Sequence, residues 1–250
     1  MAVVGVDELL SIMVNEEDHL RIQSIQPGFG VRESWRLISQ LDDELAESLD
    51  YAFSEQYGYL TSCPTNTGSG LRVSIFVHLP ALVMLGKAEE MMRELAPGEI
   101  AVRGFYGEGT EVIGNIFQIS NLLTLGRPEM EMLSRQEAIG RDLLDHERQA
   151  REQLYRAQRV FLEDQVFRAV GTLKNARVLS SVEFLSLLST LRLGLDLEII
   201  GGLDRQQVNQ LMMITQPAHL QKQHRELIDV ESRDVMRAEL VRRQVTCGGS

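Results

Sequence analysis

Residues 129–175 leave the second half of this chain one choice of secondary structure. Glu, Arg, Gln and Leu recur there at helical spacing, with Gly140 and Gly171 as the glycine interruptions, and such side chains lose little rotamer freedom in a helix. Shorter helices are predicted at 181–193 and 204–214, with Pro217 expected to break the pattern. A last amphipathic helix is predicted at 233–244, before a frayed CGGS end. The first half reads differently. Leu71, Val73, Ile75, Val77 and Leu79 alternate with Arg72, Ser74, Phe76 and His78, the period-two pattern of a half-buried strand. Pro80 ends that strand, and residues 81–95 and 31–53 are predicted helices. Further strands are expected at 9–14, 99–103 and 115–125. The fold class is α+β: a mixed or antiparallel sheet flanked by helices over residues 1–127, then an all-helical part over 128–250.

At 250 residues the chain can bury a sizeable core as one domain, or one domain with an appended lobe. Its 44% hydrophobic and 24% charged content is that of a soluble globular protein. A net charge of −11 argues against coating nucleic acid. It suits a basic substrate and equally suits plain solubility. Cys63 and Cys247 suggest neither a disulfide framework nor metal-ligand spacing, so no metal site is expected in the chain itself. The N-terminal MAVVGVDELLSIMV does not read as a signal peptide, and no apolar run reaches membrane-spanning length. The expectation is a cytoplasmic protein with no membrane partner and no direct contact with nucleic acid.

Three segments carry the chemistry. Residues 61–72 (TSCPTNTGSGLR) and 103–109 (RGFYGEG) each join a glycine turn to an arginine, at Arg72 and Arg103. Clustered backbone amides beside guanidinium groups cradle anions such as a nucleotide's phosphates. Neither loop matches the phosphate-binding GxxxxGK[ST] pattern. Residues 14–23 (VNEEDHLRIQ) hold three carboxylates, a histidine and an arginine between apolar residues. An extended conformation lasting to Ile22 would put Glu17, His19 and Arg21 on one face. The triplet Glu16, Glu17 and Asp18 reads either as a solvated acidic turn or as a site for a cation. His19 reads as a structural hydrogen-bonding residue. Cys63 sits in a polar loop with no histidine close by to act as its base. Glu108, between two glycines, is open to a substrate or to capping a turn. Arg233 and Arg237 share a helix face four residues apart, which is either a basic helix end or an anion pocket.

These segments, with residues 114–121 (GNIFQISN), resemble the C-terminal catalytic domain of the phosphagen (ATP:guanido) kinases. RGFYGEG and RDVMRA are closer to the bacterial protein-arginine kinases within that family. The resemblance runs from about Ser11 to about Arg243. It implies that Arg21, the segment Arg72, Val73, Ser74, Ile75 and Phe76, and the loop Arg103, Gly104, Phe105, Tyr106, Gly107 and Glu108 contact ATP. It implies that Glu17 and Glu108 hold the acceptor guanidinium, with Cys63 nearby as a catalytic-site residue. Arg233, Asp234, Val235, Met236, Arg237 and Ala238 match a site that binds phosphoarginine and tunes activity. Mg²⁺ is expected mainly on nucleotide oxygens and water. The implied partners are proteins with exposed arginine, a second copy in a homodimer, a Clp-type protease system and a zinc-binding activator protein. The implied setting is stress response and protein quality control.

One departure qualifies the expectation of activity. The family carries an S-[ST]-R-x-R motif ahead of this region, and this sequence does not contain it. The chain as written is therefore expected to bind ATP weakly and to phosphorylate arginine slowly or not at all. The alternative reading is a catalytically inactive phosphoarginine-binding or dimerisation module.

Overall fold

A computed structural model describes residues 1–95, 98–104, 112–224 and 227–247. The chain divides into two compact units. The first comprises Met1–Val77, Met92–Val102 and Gln118–Leu143; the second comprises His78–Met91, Arg103–Phe117 and Leu144–Ser250. The described strands form three small sheets.

The first unit opens with β1 (Ala2–Val4), β2 (Leu10–Val14) and β3 (Leu20–Ser24), an antiparallel sheet in that order. Val14 pairs with Leu20 and Met13 with Arg21, so the extended run does not continue to Ile22. The chain reverses instead through residues 15–19. Asn15 enters the left-handed region at φ 53°, which Asn tolerates better than most residues, and its N–H donates to the His19 carbonyl at 3.0 Å. Glu17 lies in this turn and shares no strand face with Arg21.

Helix α1 (Val31–Ala46) packs on β3. It stops short of the predicted residue 53: Leu49 is 43% exposed. The chain then forms a hairpin, β4 (Phe53–Ser54) with β5 (Gly58–Tyr59). Tyr51 and Phe53 pack edge-on against the Tyr59 ring.

The third sheet has the order β6-β8-β7, formed by Ser74–His78, Ile116–Asn121 and Ile100–Gly104. The predicted alternation around β6 is realised: Val73, Ile75, Val77 and Leu79 are buried while Phe76 is half exposed. The predicted helix over 81–95 divides at Gly86, φ 70°, into α2 (Pro80–Met84) and α3 (Ala88–Leu95).

Helix α4 (Glu129–Ala157) runs through Gly140 without interruption. A Cβ at Gly140 would lie 2.6 Å from the Phe29 ring and 2.9 Å from Ile75 Cδ1, so glycine here admits close packing rather than a bend. The break falls at Gln158, φ −138°, and α5 (Arg159–Asn175) continues through Gly171.

In the second unit α5 packs on α6 (Ser181–Asp196) and α9 (Val230–Cys247), and α7 (Arg205–Ile214) and α8 (Pro217–Lys222) pack on α6 and α9 in turn. Pro217 starts α8 instead of ending a helix, because a first-turn position needs no backbone N–H. Phe184, Leu188, Leu191, Leu211 and Val241 form the centre of this core. Gly194 lets α6 approach α5: a Cβ there would lie 2.4 Å from Val166 Cγ1. Ser180 caps α6, and Asp204 with Gln207 makes a reciprocal capping box on α7.

Candidate active site

In the first unit one carboxylate ties together two of the sequence segments. Asp18 Oδ1 accepts the Ser62 N–H at 2.6 Å and the Cys63 N–H at 3.2 Å, and its Oδ2 accepts from Asn66 Nδ2 at 2.7 Å. The acidic turn and the cysteine loop therefore form one structure. Burial pushes the Asp18 pKa up, but the Asn66, Cys63 and Ser62 bonds outweigh it and hold the carboxyl below the ordinary aspartate range. Asp18 is thus spent on architecture, which leaves Glu17 exposed at the tip of the turn. Arg21 lies 3.5 Å from Glu16 rather than pairing with Glu17. His19 Nδ1 is 3.2 Å from Asn15 Oδ1, the structural role expected of it.

The cysteine loop is built rigidly. Cys63 precedes a 3-10 turn at Pro64–Asn66, and its Sγ lies 3.0 Å from Thr65 Oγ1. Thr61 Oγ1 donates to the Cys63 carbonyl at 2.6 Å. Thr124 Oγ1 reaches the Thr65 and Thr67 carbonyls at 3.1 and 2.7 Å. Gly68 sits at φ 119°, where a Cβ would lie 2.5 Å from the Thr124 carbonyl oxygen, so the loop requires glycine there.

Arg72 is exposed on the extended segment leading into β6. Ser74 Oγ is 2.8 Å from Ser120 Oγ, whereas Val73 and Ile75 face the core. Arg103 is exposed on β7 and Gly104 is buried beside it. Phe105, Tyr106, Gly107 and Glu108 lie outside the described residues, so the expected convergence of Glu17 and Glu108 does too. Among the described residues no group of three or more His, Cys, Asp or Glu has the arrangement of a metal site.

In the second unit the two arginines of RDVMRA differ sharply. Arg237 is only 1% exposed. Its Nε donates to the Thr215 carbonyl at 3.1 Å, and its Nη1 donates to the Leu179 carbonyl at 2.7 Å and to Asp234 Oδ1 at 2.5 Å. Arg233 is half-buried, Val235 is exposed and Ala238 is in the core. The expected surface of two like charges on one helix face is therefore a surface of one arginine, with the other acting as an internal clamp.

Sequence reasoning missed further polar groups of the second unit. Glu147 accepts the Ala81 and Leu82 N–H groups at 3.1 and 3.0 Å, fixing the start of α2, and pairs with Arg151 at 2.7 Å. Burial nevertheless raises its pKa. His78 Nε2 lies 2.8 Å from Ser189 Oγ, which also accepts from Asn115 Nδ2 at 2.8 Å. Burial, then the Arg192 and Arg151 charges, push the His78 pKa down to about 3. Apart from the Glu147–Arg151 pair at i,i+4, no local pattern announces these partners, which lie 65 or more positions apart in sequence.

The ATP:guanido phosphotransferase C-terminal catalytic domain matches residues 2–150, and the protein-arginine kinase McsB C-terminal domain matches residues 159–248. The protein-arginine kinase of Moorella thermoacetica is 52% identical over 94% of this chain and 67% of its own length. That of Bacillus subtilis is 45% identical over 96% of this chain and 66% of its own. The chain thus spans about two thirds of the length of these relatives. Among solved structures, the duplicated taurocyamine kinase of Schistosoma mansoni with bound transition state analogue components aligns at TM-score 0.55 and 26% identity, covering 70% of this chain and 26% of that one. Lombricine kinase aligns at TM-score 0.53 and 30% identity, covering 58% and 40%. The relatives support arginine phosphorylation and lend no support to an inactive binding module. With one family domain matching its first three fifths and the other most of the remainder, the chain belongs to the ATP:guanido phosphotransferases, on the branch of the bacterial protein-arginine kinases.

Proposed function

We propose that the acceptor side of the reaction is organised by Asp18 and the donor side by Arg21, Arg72 and Arg103. The observation that supports this reading is the set of three hydrogen bonds that Asp18, next to Glu17 in the turn, accepts from the cysteine loop. A guanidinium is a poor nucleophile, because its lone pairs are delocalised and its pKa exceeds about 12. Glu17, together with Glu108, receives it in a fork geometry and takes up the proton as the N–P bond forms. The γ-phosphoryl group leaves ATP as that bond forms, and its charge is spread over its oxygens. Positioning and arginine charge therefore supply most of the catalysis.

Arg21, Arg72 and Arg103 are assigned to the nucleotide's phosphates. Ser74 and the half-exposed Phe76 are the side chains of their strand that a nucleotide can meet, and Val73 and Ile75 contribute backbone. Gly104 and the loop through Glu108 complete the ATP contacts. Mg²⁺ is assigned to phosphate oxygens and water and supplies further charge neutralisation. The substrates are proteins with exposed arginine in the cytoplasm, in a quality-control setting, with a homodimer, a Clp-type protease system and a zinc-binding activator as partners. In the RDVMRA segment, the part open to phosphoarginine centres on Arg233, while Arg237 holds the scaffold beneath it.

Asp18→Ala tests the reading. Arginine phosphorylation is expected to fall at least about tenfold, as for loss of charge-assisted bonds of about 1.5–3 kcal/mol, while MgATP binding persists. Undiminished transfer by this variant would remove the organising role of Asp18.

A further inference from the structure

We infer that Asn121 is a positioning residue for Arg72, setting the direction in which that guanidinium leaves the sheet. The last residue of β8 uses its side-chain amide to continue the ladder past the end of β6. Asn121 Oδ1 accepts the Val73 N–H at 2.7 Å, and Nδ2 donates to the Leu71 carbonyl at 3.1 Å. Those two groups belong to the two peptide planes that flank the Arg72 Cα. In an extended segment the carbonyl of one residue and the N–H two residues later point the same way, so one amide can grip both. Fixing both planes fixes the Cα–Cβ direction of Arg72, on the face opposite Leu71 and the buried Val73.

Asn121 is itself held. Its Nδ2 also donates to the Leu123 carbonyl at 3.0 Å, and its backbone N–H donates to the Val73 carbonyl at 3.3 Å. The site demands an amide. A carboxylate of the same shape accepts from Val73 but cannot donate to Leu71 and sets a negative oxygen against that carbonyl. A three-carbon arginine stem loses entropy when it is immobilised, and a Cα–Cβ vector set in advance lowers that loss on phosphate binding.

The inference rests on the reading that Arg72 contacts the nucleotide's phosphates, and a double-variant cycle separates the two. MgATP affinity is measured calorimetrically for the wild-type chain, Arg72→Ala, Asn121→Asp and the double variant. Each single change is expected to weaken binding by about tenfold or more, and the double variant to be no weaker than Arg72→Ala. Wild-type affinity in Arg72→Ala would overturn the phosphate reading itself. Weak binding by Arg72→Ala beside unchanged binding by Asn121→Asp would overturn the positioning role alone. So would multiplicative losses in the double variant, or a lowered melting temperature in Asn121→Asp without loss of affinity. If Asn121→Asp does not fold, Asn121→Ala, which removes both side-chain bonds, carries the same cycle.

Discussion

Arg237→Met should destabilise the protein far more than any change at Arg233. The Arg237 guanidinium ties α9 to the Thr215 carbonyl at the end of α7 and to the Leu179 carbonyl ahead of α6, and it pairs with Asp234. Methionine fills comparable volume but strands two carbonyls and a carboxylate whose side chain is 17% exposed. Breaking one partner of a buried ion pair costs about 3–5 kcal/mol, and the residual access of water to Asp234 favours the lower end. For a chain of this size each kcal/mol lowers the melting temperature by roughly 2–4 °C, so a fall of roughly 6–20 °C is expected. Scanning calorimetry on wild type, Arg237→Met and Arg233→Ala measures it, with Arg233→Ala expected to cost less than about 1 kcal/mol. A melting temperature for Arg237→Met within about 2 °C of wild type would refute the clamp and return Arg237 to the role of a free anion ligand. If the clamp holds, a lost response to phosphoarginine in Arg237 variants reports on folding as much as on recognition, and Arg233→Ala is the cleaner probe.

His78 predicts an acid-side loss of stability. Its folded pKa of about 3 lies below an unfolded value of about 6.5, so the unfolded chain binds the extra proton between those limits and stability falls as pH drops through that window. At pH 5 the loss attributable to this residue is about 2 kcal/mol, and denaturant titrations of His78→Gln should show that much less difference between pH 8 and pH 5. Identical pH profiles for variant and wild type would refute it. Gly194→Ala should cost about 1–3 kcal/mol, because its Cβ meets Val166 Cγ1 at 2.4 Å and either that stiff side chain or the helix backbone must shift. A neutral effect in thermal denaturation would show that the contact between α5 and α6 yields easily.

Much of the architecture could be read from periodicity because periodicity reports burial. Leu71 to Leu79 is the clearest case, with Leu79 fully buried and its alternate neighbours more open. The pattern failed where a distant partner decided the outcome. Gly140 looks like an interruption in the sequence, yet Phe29, more than a hundred positions earlier, requires its missing side chain. Gln158 divides two helices with neither proline nor glycine to announce it. The motif segments located the candidate site, but not the division of labour within it. Glu16, Glu17 and Asp18 are interchangeable to a reading of charge, and only the loop 44 positions away shows that Asp18 is structural and Glu17 is left exposed. Arg237 misled for the converse reason: an arginine on an amphipathic helix normally faces water, and its burial depends on carbonyls of two other elements.

On the proposed mechanism a carboxylate in the acidic turn directs phosphate onto arginine. Wild type and Glu17→Gln are each incubated with MgATP and an arginine-rich protein, and the products are read by phosphorus NMR and by mass spectrometry under non-acidic conditions. Acid-labile phosphate on arginine side chains is predicted with wild type, formed slowly because the S-[ST]-R-x-R arginines are missing from this sequence. With Glu17→Gln none is predicted, while the affinity of that variant for MgATP stays within about threefold of wild type, because a neutral isostere removes no phosphate contact. Phosphate on hydroxyl side chains, or arginine phosphorylation by Glu17→Gln at the wild-type rate, would contradict that mechanism.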